Sequence, residues 1–246
     1  MEVDLKGVKL EPAYTENNTI ARPWFRRWWF ISILVLIVLW FGLPFIITPL
    51  VEKYEVGRVL QNTETPLSKV GLSLLETTDD PFIGYTDAPV VIVEFLDYQC
   101  PFCKQAVPIM KQVLSTYPDT VKLIIRDFPI DSVHPEAISA AVAANCAQAQ
   151  GNFWEYHDAL YDQQDELGEN LYQSLARQFN LDLTKFDSCS KSLAVRKEIG
   201  DDYDAGIKAG VGGTPTFFVN GQKVEGPLPI DLWKQIIKLS IENRFK

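Results

Sequence analysis

Apolar residues recur along the second half of the chain with spacings that predict alternating strands and helices. Two β-branched apolar runs, at 89–96 and 121–125, have the length and composition of strands buried on both faces. Between them, the apolar residues of 101–117 fall on one helical face. This succession predicts a βαβ unit with parallel strands and a right-handed crossover.

The pattern becomes helical from His134 to Gly210. We predict helices at 135–150, 152–163 and 170–180, and two shorter ones between 182 and 208. A strand signal returns at 216–219, and Asn220-Gly221 predicts a hairpin to a partner strand at 222–224. A last helix is expected near Asp231, which is a plausible N-cap. The order predicts an α/β fold in which a helical segment interrupts a sheet.

The first third of the chain has a different character. Residues 28–51 form an uncharged run of 24 residues, and about 20 suffice for a helix to cross a bilayer. Three arginines precede the run, which favours a cytoplasmic N-terminus and an extracytoplasmic C-terminal domain, and Trp24, Trp28 and Trp29 would form an interfacial belt. A cleaved signal peptide is the alternative, but the run exceeds the usual length of about 7–15 residues and no A-x-A-like site follows.

These patterns divide the chain into four parts. They are a cytoplasmic tail at 1–27, a transmembrane anchor at 28–51, a linker at 52–80 with a possible short strand at 70–75, and a packed domain at 81–246.

The net charge of −9 makes nucleic-acid binding a poor hypothesis. An even set of four cysteines suits an oxidising compartment.

Two of the cysteines, Cys100 and Cys103, lie where the first strand pattern gives way to a helical one. Free N–H groups and the dipole at a helix start stabilise a thiolate, so the pKa of Cys100 should be low. Cys103, one turn further, could resolve a mixed disulfide at Cys100. A zinc site would need two more ligands, and neither histidine is adjacent. An inert structural disulfide is the other alternative.

With these motifs the chain resembles the DsbA-like branch of the thioredoxin superfamily. The resemblance covers residues from about 81 to the C-terminus and implies a thioredoxin fold with an inserted helical domain, at about 134–210. The residues that carry it are VEFLDYQCPFC at 93–103, GNFWEYH at 151–157 and GVGGTPTFFVNG at 210–221.

The resemblance implies roles for further residues. Pro215 matches a proline that follows a cis peptide bond and faces the dithiol, and the Thr214 backbone would pair with an extended substrate peptide. Glu94 matches a buried acid that assists proton transfer, and a carboxyl group in an apolar strand should have a raised pKa; an exposed strand acid is the alternative. Phe102 stands where well-known relatives have histidine, which implies a milder oxidant. Pro108 matches a kink proline in the active-site helix.

Cys146 and Cys189 lie in the helical segment, 43 positions apart. With Cys100 and Cys103 assigned to redox chemistry, these two would form a structural disulfide, and the resemblance supports this pairing. Two free buried thiols or a second redox pair are the alternatives. We expect His134 to be a capping or surface residue and His157 to pack at a helix surface.

The sequence therefore predicts a thiol–disulfide oxidoreductase that introduces disulfides into reduced secreted or envelope proteins. We expect it to be a single-pass inner-membrane protein with a periplasmic catalytic domain, reoxidised by a quinone-linked membrane partner of the DsbB or VKOR kind. No cofactor or metal is expected. The alternatives are a reductase or isomerase of the same fold, and a tethered peptide-binding or chaperone-like module.

Overall fold

The computed structural model describes residues 31–33, 36–37 and 71–242. The predicted tail, most of the predicted anchor and much of the predicted linker lie outside these ranges. Residues 31–33 and 36–37 are helical, and the apolar side chains of Ile31, Ile33, Leu36 and Ile37 are exposed. Within the described ranges, no helix combines the length and the apolar character that a membrane crossing requires.

From residue 71 onward, strands and helices alternate as a mixed α/β domain. In chain order they are α1 (Leu72–Leu75), β1 (Phe82–Gly84), β2 (Val90–Leu96), α2 (Pro101–Thr116), β3 (Val121–Asp127), α3 (Ala137–Gln148), α4 (Phe153–Asp162), a 3₁₀ turn (Gln164–Glu166), α5 (Glu169–Gln178), α6 (Leu183–Ser190), α7 (Leu193–Lys208), β4 (Thr216–Val219), β5 (Gln222–Glu225) and α8 (Ile230–Ile241).

The five strands form one sheet in the order β1-β3-β2-β4-β5. Strands β2 and β3 are parallel, which confirms the βαβ unit, and β4 runs antiparallel to β2. The hairpin of β4 and β5 turns at Asn220 and Gly221, with φ angles of 47° and 85°. Two positive φ angles are what a two-residue hairpin requires, so the Asn-Gly prediction is confirmed.

Each face of the sheet carries its own apolar core because successive side chains of a strand point to opposite faces. In β2, Ile92 and Leu96 belong to the larger core under α2 and the insert, while Val93 and Phe95 belong to the smaller one with Phe128. Glu94 has the parity of the larger core. The alternation therefore directs its carboxyl group toward the side that carries the active-site helix.

The start of the domain differs from the prediction. The segment expected to be a short strand at 70–75 contains helix α1, since a mostly apolar segment of six residues does not distinguish the two structures. Leu75 is fully buried and Asp80 is 6% exposed, so packing begins before residue 81, where the linker was expected to end. Strand β1, which pairs antiparallel with β3, was missed.

The helices after β3 follow their predicted order, with two corrections. The last of them, α7, has 16 residues and is not a short piece. The N-cap of α8 is Pro229, and Asp231 lies inside the first turn, where its charge still favours the helix dipole. Phe153 is buried, and Trp154 packs partly buried against the same core.

Cys146 in α3 and Cys189 in α6 form a disulfide with a Cα–Cα distance of 5.7 Å. Cys146 is fully buried, while Cys189 packs partly buried at the edge of the core. The bridge ties the first helix of the insert to its fourth. Cys100 and Cys103 are free thiols.

Candidate active site

The two free cysteines lie at the junction of β2 and α2, as the sequence predicts. Cys100 is the N-cap residue of α2, with extended backbone angles, and Pro101 occupies the first helical position, where its missing N–H costs nothing. Cys103 lies in the first turn. Cys100 is 4% exposed and Cys103 is completely buried, so an attacking thiolate would approach the sulfur of Cys100.

The environment of Cys100 favours its thiolate. The pKa of Cys100 is lowered to about 5, chiefly by a hydrogen bond with the Cys103 side chain, while burial opposes the shift. The Thr214 side chain and the backbone N–H groups of Cys103 and Phe102 add further stabilisation. The Thr214 hydroxyl is buried without another hydrogen-bond partner among the described residues, so it is available to donate to the sulfur.

The environment of Cys103 has the opposite effect. Burial is the main cause that raises the pKa of Cys103 well above its usual value, and the neighbouring Cys100 and Glu94 raise it further. The pair therefore holds one thiolate, at Cys100, and one thiol, at Cys103. This asymmetry suits disulfide exchange, since the accessible sulfur is the better leaving group and the buried one retains a proton.

Glu94 is 4% exposed, and burial raises the pKa of its carboxyl group to about 8. The group lines a cavity of about 90 Å³ under α2, together with apolar side chains such as Met110 and Ile125. The half-exposed ion pair of Lys111 and Asp158, at 2.8 Å, lines the same cavity. The volume is large enough for water. The alternative of an exposed strand acid is therefore wrong.

A groove runs beside the thiols. The Thr214–Pro215 peptide bond is cis, as the resemblance implies, and the Thr214 carbonyl oxygen lies 3.2 Å from the Cys100 Sγ. A cavity of about 490 Å³ extends from these residues along Gly226 and past the side chain of Phe102, which is 54% exposed. An extended peptide could therefore lie across the reactive sulfur in contact with an aromatic ring.

Other polar residues hold the loop between β2 and α2, and the pattern along the chain contained little sign of them. The buried carboxylate of Asp97 accepts hydrogen bonds from the backbone N–H groups of Gln99 and Ile130, and its Oδ2 lies 2.8 Å from the His134 Nδ1. His134 is thus neither a helix cap nor a simple surface residue. A polar residue directly after a buried strand was the one available signal for Asp97.

The insert contacts this loop directly. The Gln164 amide donates to the carbonyl oxygens of Tyr98 and Cys100, and the Tyr161 hydroxyl donates to that of Asp97. His157, expected at a helix surface, is buried instead, with its Nδ1 3.2 Å from the Tyr98 hydroxyl. Burial, with a smaller effect of Lys111, lowers the pKa of His157 to about 3, so the imidazole stays neutral.

The sequence profile of the thioredoxin family matches residues 76–239. Among solved structures, a thioredoxin-like oxidoreductase from Silicibacter pomeroyi is 27% identical, with a TM-score of 0.62 over 70% of this chain and 95% of that chain. Wolbachia pipientis alpha-DsbA1, at 21% identity, has a TM-score of 0.63 over 70% of this chain and 96% of that chain. The second likeness concerns the fold alone.

The curated relatives that match this chain in sequence are named as ion antiporters. The Na(+)/H(+) antiporter NhaA 3 of Salinispora tropica is 42% identical over 151 residues, which are 60% of this chain and 22% of that protein. NhaA 1 of Mycolicibacterium vanbaalenii is 35% identical over 168 residues, which are 66% of this chain and 27% of that protein. The chain thus spans about a quarter of the length of the curated relatives it matches.

Proposed function

Because this chain belongs to the thioredoxin family, we propose that it introduces disulfide bonds into secreted or envelope proteins. The observation that carries the proposal is the asymmetry of the two thiols. Cys100, with its pKa lowered to about 5, is the exchanging sulfur, and the buried Cys103 is its resolving partner.

The reaction begins with the oxidised Cys100–Cys103 pair. A substrate thiolate attacks the Cys100 Sγ, a mixed disulfide forms, and the bond to Cys103 breaks. The departing Cys103 sulfur takes up a proton, and the protonated Glu94 is a suitable donor because the pKa of its carboxyl group is about 8. A second substrate thiolate then attacks the substrate sulfur and releases the Cys100 thiolate. The substrate loses two electrons and the cysteine pair gains them.

The proposed direction rests on the stability of the reduced form. A stable Cys100 thiolate favours the reduced dithiol and makes the disulfide a stronger oxidant. A pKa of about 5 lies between values of about 7 for thioredoxin and about 3.5 for DsbA. This supports an oxidant milder than DsbA, in agreement with Phe102 in place of histidine.

Substrates would bind through the groove beside Pro215. The Thr214 backbone would pair with an extended peptide as an added strand, and Phe102 would contact apolar side chains next to the substrate cysteine. Neither contact depends on a particular client sequence, which suits an enzyme that acts on many unfolded proteins.

We place the domain outside the cytoplasm, tethered by residues 28–51 to the inner membrane and reoxidised by a quinone-linked membrane protein of the DsbB or VKOR kind. The uncharged run at 28–51 and a disulfide at Cys146–Cys189 support this setting. The relatives named as antiporters are proteins that exchange ions across a membrane. The shared segment covers 22% and 27% of two of them, so it supports a membrane setting and not ion transport.

The decisive measurement is the reduction potential of the Cys100–Cys103 pair in the full chain, equilibrated with glutathione. We expect a value between about −270 mV, that of thioredoxin, and about −120 mV, that of DsbA. A value at or below that of thioredoxin would favour the reductase alternative. A Cys100→Ala variant that still promotes folding of a cysteine-containing client would favour the chaperone-like alternative.

A further inference from the structure

Gln164 lies in the 3₁₀ turn after α4, in the insert, and its side chain is buried against the loop that carries Cys100. Its Nε2 donates to the Tyr98 carbonyl oxygen at 2.8 Å and to the Cys100 carbonyl oxygen at 2.9 Å. Gln164 is 8% exposed. Both hydrogens of the amide are thus used on the backbone of the active-site loop.

The Cys100 carbonyl group occupies a sensitive position. Cys100 is the N-cap of α2, and its carbonyl oxygen also accepts the Lys104 N–H at 3.2 Å, the first hydrogen bond of the helix. This oxygen carries a partial negative charge only a few bonds away from the sulfur. A donor that binds it offsets that charge, which lowers the electrostatic cost of a thiolate at the same residue.

The two hydrogen bonds also fix the orientation of the loop. The N–H groups of Phe102 and Cys103 stabilise the Cys100 thiolate only while the backbone at Cys100 keeps its extended N-cap conformation. Gln164 holds the carbonyl groups on either side of Gln99, so the segment that leads into the cap has little freedom to rotate.

We propose that Gln164 is a positioning residue of the redox centre, through which the insert stabilises the Cys100 thiolate and strengthens the disulfide as an oxidant. The proposal rests on the proposed function of the Cys100–Cys103 pair. According to this proposal, the helical insert influences the reduction potential of the Cys100–Cys103 pair and also covers the core.

The test replaces Gln164 by methionine, which keeps the length of the side chain and removes both donors. In the full chain, we expect the pKa of Cys100 to rise by about half a unit or more, because two carbonyl dipoles lose their donor. That is about a threefold change in the dissociation constant, which makes the potential about 15 mV more negative. The pH dependence of Cys100 alkylation, followed by peptide mass mapping, gives the pKa, and glutathione equilibration gives the potential.

Gln173→Met is the matched control. Gln173 is also an amide of the insert, and it donates to Glu169 at 3.0 Å and to Asp187 at 2.7 Å, neither of which belongs to the active-site loop. Its loss should lower stability but leave the pKa of Cys100 and the potential unchanged.

Gln164→Leu keeps the proposal testable if the methionine variant does not fold. Leucine also lacks both donors, so the pKa of Cys100 should rise as in Gln164→Met. Folded Gln164 variants that keep the wild-type pKa and potential, or a Gln173→Met shift of equal size, would overturn the proposal. A wild-type chain without a low-pKa thiolate would instead count against the proposed function itself.

Discussion

The difference between Cys100 and Cys103 is a matter of position within one helical turn. Cys100 at the N-cap lies within reach of free N–H groups, whereas Cys103 inside the turn is buried among apolar side chains. Glu94 adds to the difference, because a buried carboxyl group near Cys103 disfavours a second negative charge. At neutral pH, Cys100 thus carries a negative charge as a thiolate, while Cys103 and Glu94 each hold a proton.

Replacing Glu94 by glutamine should stabilise the protein in a pH-dependent manner. The pKa of the carboxyl group is raised from 4.5 to about 8, so the folded state holds a proton that the unfolded state releases above pH 4.5. Wild-type stability therefore falls relative to the variant as pH rises toward 8. We expect the gap to grow by about 3 kcal/mol between pH 4.5 and 7. Urea unfolding of both oxidised proteins across this range would measure it.

A gap that stays constant with pH would show that the Glu94 carboxyl group titrates normally in the folded protein. The same variant should also slow disulfide exchange, since glutamine cannot donate a proton to the departing Cys103 sulfur. Stopped-flow measurements of the mixed-disulfide step would separate this kinetic effect from the change in stability.

At the scale of the elements, α7 approaches the sheet closely at one glycine. A Cβ atom at Gly206 would lie 2.6 Å from a ring carbon of Phe128 and 3.1 Å from one of Phe95, whereas one at Gly200 in the same helix would meet open space. Glycine at 206 therefore sets the distance between the insert's last helix and the smaller core.

Gly206→Ala should destabilise the protein by about 1–3 kcal/mol because the added methyl group displaces the Phe128 ring. Gly200→Ala, the matched control, should be neutral or stabilising by up to about 1 kcal/mol, since alanine is the better helix former. Thermal unfolding of the two variants side by side would compare them. Equal effects at both positions would mean that packing at Gly206 is not tight.

A cluster of charged side chains connects α7 to strand β3 and to the segment that begins with α1. Arg126 at the end of β3 donates to Asp202 of α7 and to the Leu74 carbonyl oxygen, and its Nε lies 3.5 Å from Asp80. Burial and neighbouring carboxylates raise the pKa of Glu198 to about 9. One guanidinium thus serves several carboxyl groups, and Glu198 retains its proton at neutral pH, which limits the negative charge of the cluster.

Arg126→Met should cost about 3–5 kcal/mol, because it leaves buried carboxylates without their cation. The loss should grow as pH rises, since the pKa values of the carboxyl groups would increase further and their deprotonation would favour unfolding. Chemical denaturation at two pH values would measure it. Lys122→Met on the same strand removes a partly exposed ion pair with Glu76 and should cost less than about 1 kcal/mol.

At the scale of the whole domain, the disulfide and the buried amide of Gln164 act on different properties. The Cys146–Cys189 bridge closes a 43-residue stretch of the insert, which restricts the unfolded chain. Gln164 connects the same insert to the active-site loop. Stability and redox poise are therefore separable in this fold, although the insert contributes to both.

Replacing Cys146 and Cys189 together by alanine should lower the free energy of unfolding by about 4 kcal/mol in the chain-entropy model. The pKa of Cys100 should stay near its wild-type value, because the hydrogen bonds that lower it come from Cys103, Thr214 and Phe102. Urea unfolding under non-reducing conditions, with alkylation of Cys100 as the second readout, tests both statements. A large change in the pKa of Cys100 would contradict the separation of the two roles.

The pattern along the chain was sufficient for the order of the elements, since βαβ periodicity, an Asn-Gly turn and amphipathic helices depend on neighbours in sequence. It failed at α1 and β1, which are too short for periodicity to distinguish, and at His157, whose burial depends on how α4 packs. The dithiol was predicted because a strand–Cys–helix context is local, and a buried Glu94 was implied by the resemblance and by its apolar strand. Gln164 and Asp97 were not, because their partners lie up to 66 positions away.

The sequence by itself determined that Cys100 would begin a helix and that Cys103 would follow one turn later, which is enough for a dithiol with one activated sulfur. Only the tertiary structure decided how strongly it is activated. The carbonyl groups of Tyr98 and Cys100 receive their donors from Gln164, the sulfur lies near the Thr214 backbone, and packing of the sheet under α2 buries Glu94 away from bulk solvent. Helix starts depend on adjacent residues, whereas desolvation and hydrogen bonds across the fold depend on segments that meet only after folding.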